Sequence, residues 1–130
     1  MATFVGVGIS EKKDPFLAAQ EAAKLALYQL HHREITLAIL FSTIHFADKR
    51  LIEGLAYNLG NVKILGCTGA GLMTNRGILP YGVGVMLFSS DVVTLGPGAT
   101  FNINLKGARE SGEDFAHQAL KNLGTAQRNL

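Results

Sequence analysis

Tryptophan is absent from this chain, cysteine occurs once, proline three times, and charged residues make up only 17% of its 130 residues. Each shortage closes a class of explanation. A single cysteine excludes an internal disulfide and any cysteine cage around a metal. Without tryptophan, and with scattered cations that sum to a net charge of +2, there is no basic stripe with interleaved aromatics. Nucleic acid is therefore not an expected partner. The charge shortage is local: between Ile64 and Leu105 only Arg76 and Asp91 are charged. A chain of 13.9 kDa folds as one domain and keeps much of its surface wet. So long an uncharged segment predicts burial against a second copy or against a part of the protein missing here.

Two further absences concern location. Met1-Ala2-Thr3-Phe4 lacks the positive stretch and apolar run of a signal peptide. Gly82, Gly84, Gly96, Pro97 and Gly98 interrupt the uncharged segment, which is poor material for a membrane span. The expectation is a soluble cytoplasmic protein with no membrane partner.

What is present is an alternation of strands and helices. Thr3–Ile9 reads as a strand. Asp14-Pro15 announces a helix, with a capping carboxylate and a proline where no N–H is needed. Its apolar stripe is Phe16, Ala19, Ala23, Ala26, Leu27 and Leu30. Thr36–Phe41 is apolar without alternation, the pattern of a strand covered on both faces. Ile39, Phe41, Ile64 and Leu65 are therefore expected to be nearly fully buried. A helix over Ala47–Leu59, stopped by Gly60, leads to a strand at Val62–Cys67. Two such crossover units predict three parallel strands. Gly82–Ser90 and Val92–Gly96 follow as an antiparallel hairpin, with Phe101–Leu105 as a further edge strand. A last helix begins near Ser111, and residues 125–130 form a frayed tail. The fold class is thus α/β, with a mixed sheet and a C-terminal helix in a single domain over residues 1–130. The late strands, placed at the end of the sheet, predict a homodimer or higher closed oligomer through Gly82–Leu105.

Several motifs have bland readings that compete well. Gly6-Val7-Gly8 lacks the third glycine of a dinucleotide fingerprint, and its helix starts too late to meet a pyrophosphate. Tight packing explains it better. Gly66-Cys67-Thr68-Gly69-Ala70-Gly71 is not a P-loop, since no Gly-Lys-Ser/Thr follows. It reads as a bulge or turn whose N–H groups at Gly69–Gly71 can meet a carboxylate. Cys67 needs an activating neighbour to be a nucleophile, with His45 and Arg76 as spatial candidates; otherwise it packs or lines a pocket. His31-His32 closes the first helix, and His117 has no neighbour at metal spacing, so neither metal nor cofactor is expected. The strongest functional signal is positional. Ser10, Ser42, Thr43, Cys67 and Thr68 all lie just past a strand, where open α/β sheets bind ligands.

The same residues carry a family likeness. Val7-Gly8-Ile9-Ser10, the alanine-rich helix after Asp14-Pro15, Leu37–Ser42, Ile64–Gly71 and Gly82–Ser90 with Asp91 resemble the N-terminal portion of FIST domains over roughly residues 3–100. FIST domains are intracellular sensory modules of signal-transduction proteins. The resemblance implies binding of a small polar ligand, such as an amino acid, and relay to attached domains. Two features depart from the family. Leu72 stands where a glutamate commonly follows the glycine-cysteine motif, so a carboxylate role there is lost. Family members also continue into a C-terminal half, which leaves a fragment or a minimal stand-alone version as options. The expected ligand site is Ser10, Ser42, Thr43, Gly66, Cys67, Thr68, Gly69, Ala70 and Gly71. The rivals to a ligand sensor are a small enzyme with Cys67 as nucleophile and a pure oligomerisation module.

Overall fold

Asp14-Pro15 starts the first helix as the sequence predicts. In the computed structural model, which describes residues 2–124, helix α1 spans Pro15–Leu30, and the Asp14 carboxylate accepts a 3.0 Å hydrogen bond from the Leu17 N–H. The helix ends where His31 and His32 take left-handed backbone angles, φ 49° and 63°. Ala18, Ala19, Ala22, Ala23 and Ala26 are fully buried, where α1 packs on strand β1 (Thr3–Ser10) and on other elements of the same core. A Cβ on Gly6 would stand 2.1 Å from the Ala26 carbonyl oxygen, and one on Gly8 1.9 Å from that of Ala22. Bare backbone on the strand and methyl groups on the helix let the two elements touch directly. The paired glycines of β1 are a packing device.

The main sheet has four strands. In space they run β1, β6 (Val83–Ser90), β2 (Leu37–Thr43), β3 (Ile64–Gly69). Only β2 and β3 pair in parallel, while β6 is antiparallel to both β1 and β2. β1, β2 and β3 thus share a direction, as two crossovers require, but β1 is not bonded to β2. The expected run of three adjacent parallel strands is corrected: β6 lies between the first two. Because both sides of β6 are filled, no hairpin partner can form beside it. Val92–Gly96, expected as that partner, is not a strand, and the late strand is not a sheet edge. A small hairpin the sequence did not announce, β4 (Leu72–Thr74) and β5 (Gly77–Leu79), follows β3 and turns through Asn75-Arg76.

Helix α2 (Lys49–Leu59) is capped by Asp48, whose carboxylate accepts from the Arg50 N–H at 2.9 Å. Leu51, Leu55 and Leu59 are buried, joining the α1 alanines, Leu40, Val83, Val85 and Leu87 in one core. Ile52, on the same helix, is 46% exposed. Helices α1 and α2 pack on one face of the sheet. The other face is open: Val5, Val7 and Phe41 are 45%, 44% and 45% exposed, while Ile39 and Leu65 are half-buried there. Ile64, on the helix face of the outer strand, is half-buried too. Near-complete burial of Ile39, Phe41, Ile64 and Leu65 is therefore corrected. A continuous apolar run looks the same whether its second face is covered within the chain or left bare.

The chain divides into two compact units after Val93. In the second, Asn102 adopts φ 59°, which breaks an extended backbone. Phe101–Leu105 is accordingly not a strand, and Ile103–Lys106 forms the short helix α3. Helix α4 (Ala108–Leu123) begins earlier than Ser111, from Gly107 at φ 81°. Lys106 pairs with Asp114 and Arg109 with Glu113. The stretch around Gly96 and Gly98 lies against α4, with Gln118 accepting from the Ala99 N–H at 3.0 Å and Asn122 donating to the Pro97 carbonyl at 2.7 Å. The expected frayed tail at residues 125–130 lies outside the described residues.

Candidate functional site

Strand register decides which of the hydroxyl groups can cooperate. Ser10 and Ser42 both pair with Val83, and Ser42 pairs with Thr68. Ser10, Val83, Ser42 and Thr68 therefore form one row across the sheet, at the carboxyl ends of β1, β2 and β3. Equivalent row positions put their side chains on one face, the face that carries the helices.

Partners then separate the row. Ser10 Oγ donates to Glu21 Oε2 at 2.5 Å and accepts from the Lys12 N–H at 3.3 Å. Lys12 Nζ lies 3.1 Å from the other Glu21 oxygen. The Ser10 hydroxyl, and next the Lys12 ammonium, hold the Glu21 carboxyl below its ordinary 4.5. Ser10 is thus engaged in fixing the chain that enters α1. Thr43 is fully buried, and its Oγ1 accepts from the Gly82 N–H at 3.3 Å and lies 3.3 Å from His45 Nδ1. It joins the 3-10 turn Ile44–Phe46 to the start of β6. The His45 ring also packs on Tyr81, with ring centroids 5.1 Å apart.

Ser42 and Thr68 meet in a concavity of about 440 Å³ at the carboxyl ends of β2 and β3. Gly66, Cys67, Asp48 and Ile52 also border it. Of the nine expected site residues, these geometries bring together Ser42, Gly66, Cys67 and Thr68. Ser10 and Thr43 lie apart from this cavity. Gly69 is still strand, paired with Thr43, so β3 consumes most of the expected glycine loop. Ala70 and Gly71 remain as the link to β4, and none of Gly66, Gly69 and Gly71 has positive φ. Gly71 borders a different concavity of about 640 Å³ on the open face, walled by Val7, Ile9, Phe41, Leu72, Met73 and Met86. Sequence reasoning missed Asp48 as a wall of the first cavity. A helix read as beginning at Ala47 does not single out Asp48, whose nearness to Thr68 depends on how α2 packs.

Cys67, expected to be buried by its strand, is exposed, because β3 is an outer strand. His45, its candidate activator, is engaged by Thr43 and Tyr81. Among the described residues no three histidine, cysteine or acidic side chains gather as a metal site. No described helix is long and apolar enough to cross a membrane.

A family model described as the FIST N domain matches residues 36–129, well over half of the chain. The chain belongs to the FIST N domain family. FIST domains are sensory domains of signal transduction, consistent with a sensing role. No curated protein matches the sequence. The matched region of this FIST N chain opens at β2 and takes in β3 and β6, so it includes both strands that wall the smaller cavity.

Proposed function

We propose that this FIST N chain is a non-catalytic, cytoplasmic sensor that binds a small polar metabolite of the amino-acid class between the carboxyl ends of β2 and β3. The observation that carries this reading is the Ser42–Thr68 register pair, which places two hydroxyls in one 440 Å³ concavity. That size suits a small metabolite. The Asp48 carboxylate on the same wall complements a ligand ammonium. No metal or cofactor enters this reading. The uncharged strands are covered by a second copy or by a further half of the protein.

A thermal-shift panel of free amino acids, followed by calorimetry on the hits, is the direct test. Ser42→Ala and Thr68→Val should each weaken binding about tenfold, the cost of one hydrogen bond to a charged or polar ligand. Cys67→Ser should leave affinity within that factor. Unchanged affinity in both hydroxyl variants would remove the site from β2 and β3. A turnover abolished by Cys67→Ser would replace the sensor with a thiol enzyme, a reading favoured only by the exposure of Cys67.

A further inference from the structure

The two outer strands of the main sheet are finished differently. On β1 the Gln29 side-chain amide donates to the Val7 carbonyl at 2.7 Å and accepts from the Val7 N–H at 3.1 Å. One side chain of α1 stands in for the next strand. β3 has no such cover among the described residues. Register fixes which of its backbone groups are open. The Ala38 N–H donates to the Lys63 carbonyl at 2.9 Å, which turns the odd-numbered residues of β3 toward β2. The N–H and carbonyl groups of Ile64, Gly66 and Thr68 therefore point outward. From Ile64 to Gly71 there is no charge and no proline, and the pairing of β3 with β2 is unbroken by a bulge. These are the devices that normally blunt an edge.

We infer that β3 is an association edge, and that its occupant is β3 of a second copy, antiparallel across a two-fold axis. Outward groups must oppose outward groups, so even-numbered residues face even-numbered ones. Any register with a residue on the axis satisfies this, and the two that overlap most of β3 place Gly66 or Cys67 there. In the first, Ile64 of each copy opposes Thr68 of the other; in the second, Gly66 opposes Thr68. Either way each open donor near the axis meets an acceptor, and the strand needs nothing beyond its own sequence. Leu65 and Cys67 meet their counterparts on the open face, and Ile64 with the exposed Ile52 does so on the helix face. None is charged, so like-charge repulsion does not oppose the pairing. Six residues at about 3.3 Å each, with side chains on both faces, bury on the order of 400 Å² per copy. That totals about 800 Å², below the roughly 1,000 Å² of a stable specific interface, and so makes a weak one. The association is accordingly reversible and depends on concentration.

Light scattering and amide hydrogen exchange on the whole chain, from micromolar to millimolar, test this. The mass should rise from 13.9 kDa toward twice that value. The Gly66 and Thr68 amides should gain about tenfold protection over the same range, while the Val7 amide, already held by Gln29, should not change. Leu65→Lys should return the protein to monomer, and Val5→Lys on the open face should not. A single monomer mass at every concentration overturns the inference, as does exchange at Gly66 and Thr68 that ignores concentration. A dimer lost in Val5→Lys but kept in Leu65→Lys would overturn it in favour of the open face. If Leu65→Lys fails to fold, the exchange pattern of the unaltered chain decides alone.

Discussion

A hydroxyl at the end of a strand can serve the fold or a ligand, and its partners tell which. Ser10 serves the fold through Glu21. Since the folded Glu21 carboxyl sits below its ordinary 4.5, its contribution to stability is present above that pH. It is lost as pH falls through the lower folded value. Urea denaturation between about pH 3 and pH 6 should therefore show a shallower acid decline in Glu21→Gln than in the unaltered chain. Gly8 makes the opposite demand, since any side chain there meets the Ala22 carbonyl. Gly8→Ala should cost about 1–3 kcal/mol in the same denaturation experiment, the usual effect of forcing atoms into a packed contact. Cys67 is exposed, so iodoacetamide should label the folded protein at a rate close to that of the urea-unfolded chain. Labelling slowed a hundredfold by folding would contradict that exposure.

At the scale of elements, adjacent residues of β2 report on the two faces of the sheet. Leu40 is 6% exposed and sits in the helix-covered core, so Leu40→Ala should cost about 2–5 kcal/mol. Ile39 lies on the open face, half-buried, and Ile39→Ala should cost less than Leu40→Ala by chemical denaturation. Helices α1 and α2 were legible in the sequence because their signals are local: Asp14-Pro15 at the start of one and Gly60 at the end of the other, with apolar spacing within each. The strands themselves were legible as apolar runs, and so was the mixed character of the sheet. Neighbour order was not. Whether β6 joins an end of the sheet or the gap between β1 and β2 depends on contacts distant in sequence, which no local pattern records. β4 and β5 are three residues each, too short to show alternation. In the site, the shared position of Ser42 and Thr68 toward the carboxyl ends of consecutive strands was legible from topology, although the structure puts both inside the strands. The diversion of Ser10 to Glu21 and of Thr43 to Gly82 was not, because both partners belong to other elements.

At the scale of the whole molecule, ligand binding in a sensor must appear as added stability of the native state. An amino acid present at a hundred times its Kd should raise unfolding free energy by about 2.7 kcal/mol, and Thr68→Val, binding about tenfold more weakly, should remove about half of that gain at the same ligand concentration. Thermal melts with and without ligand are sufficient to see it. The placement of β6 bears on something other than binding, namely the order in which the protein can be assembled as it is made. β1 and β2 share no hydrogen bonds, and the strand that joins them is contributed by the far end of the first unit: Thr3 and Ser90, whose hydroxyls lie 2.9 Å apart, are separated by 87 positions. A growing chain emerging from the ribosome can form α1 and α2 early, but its first strand has no neighbour to zip against until β6 is synthesised. Folding of the sheet must therefore wait for nearly the whole unit, with apolar strands exposed in the meantime, which marks this chain as a slow folder that depends on late, long-range closure.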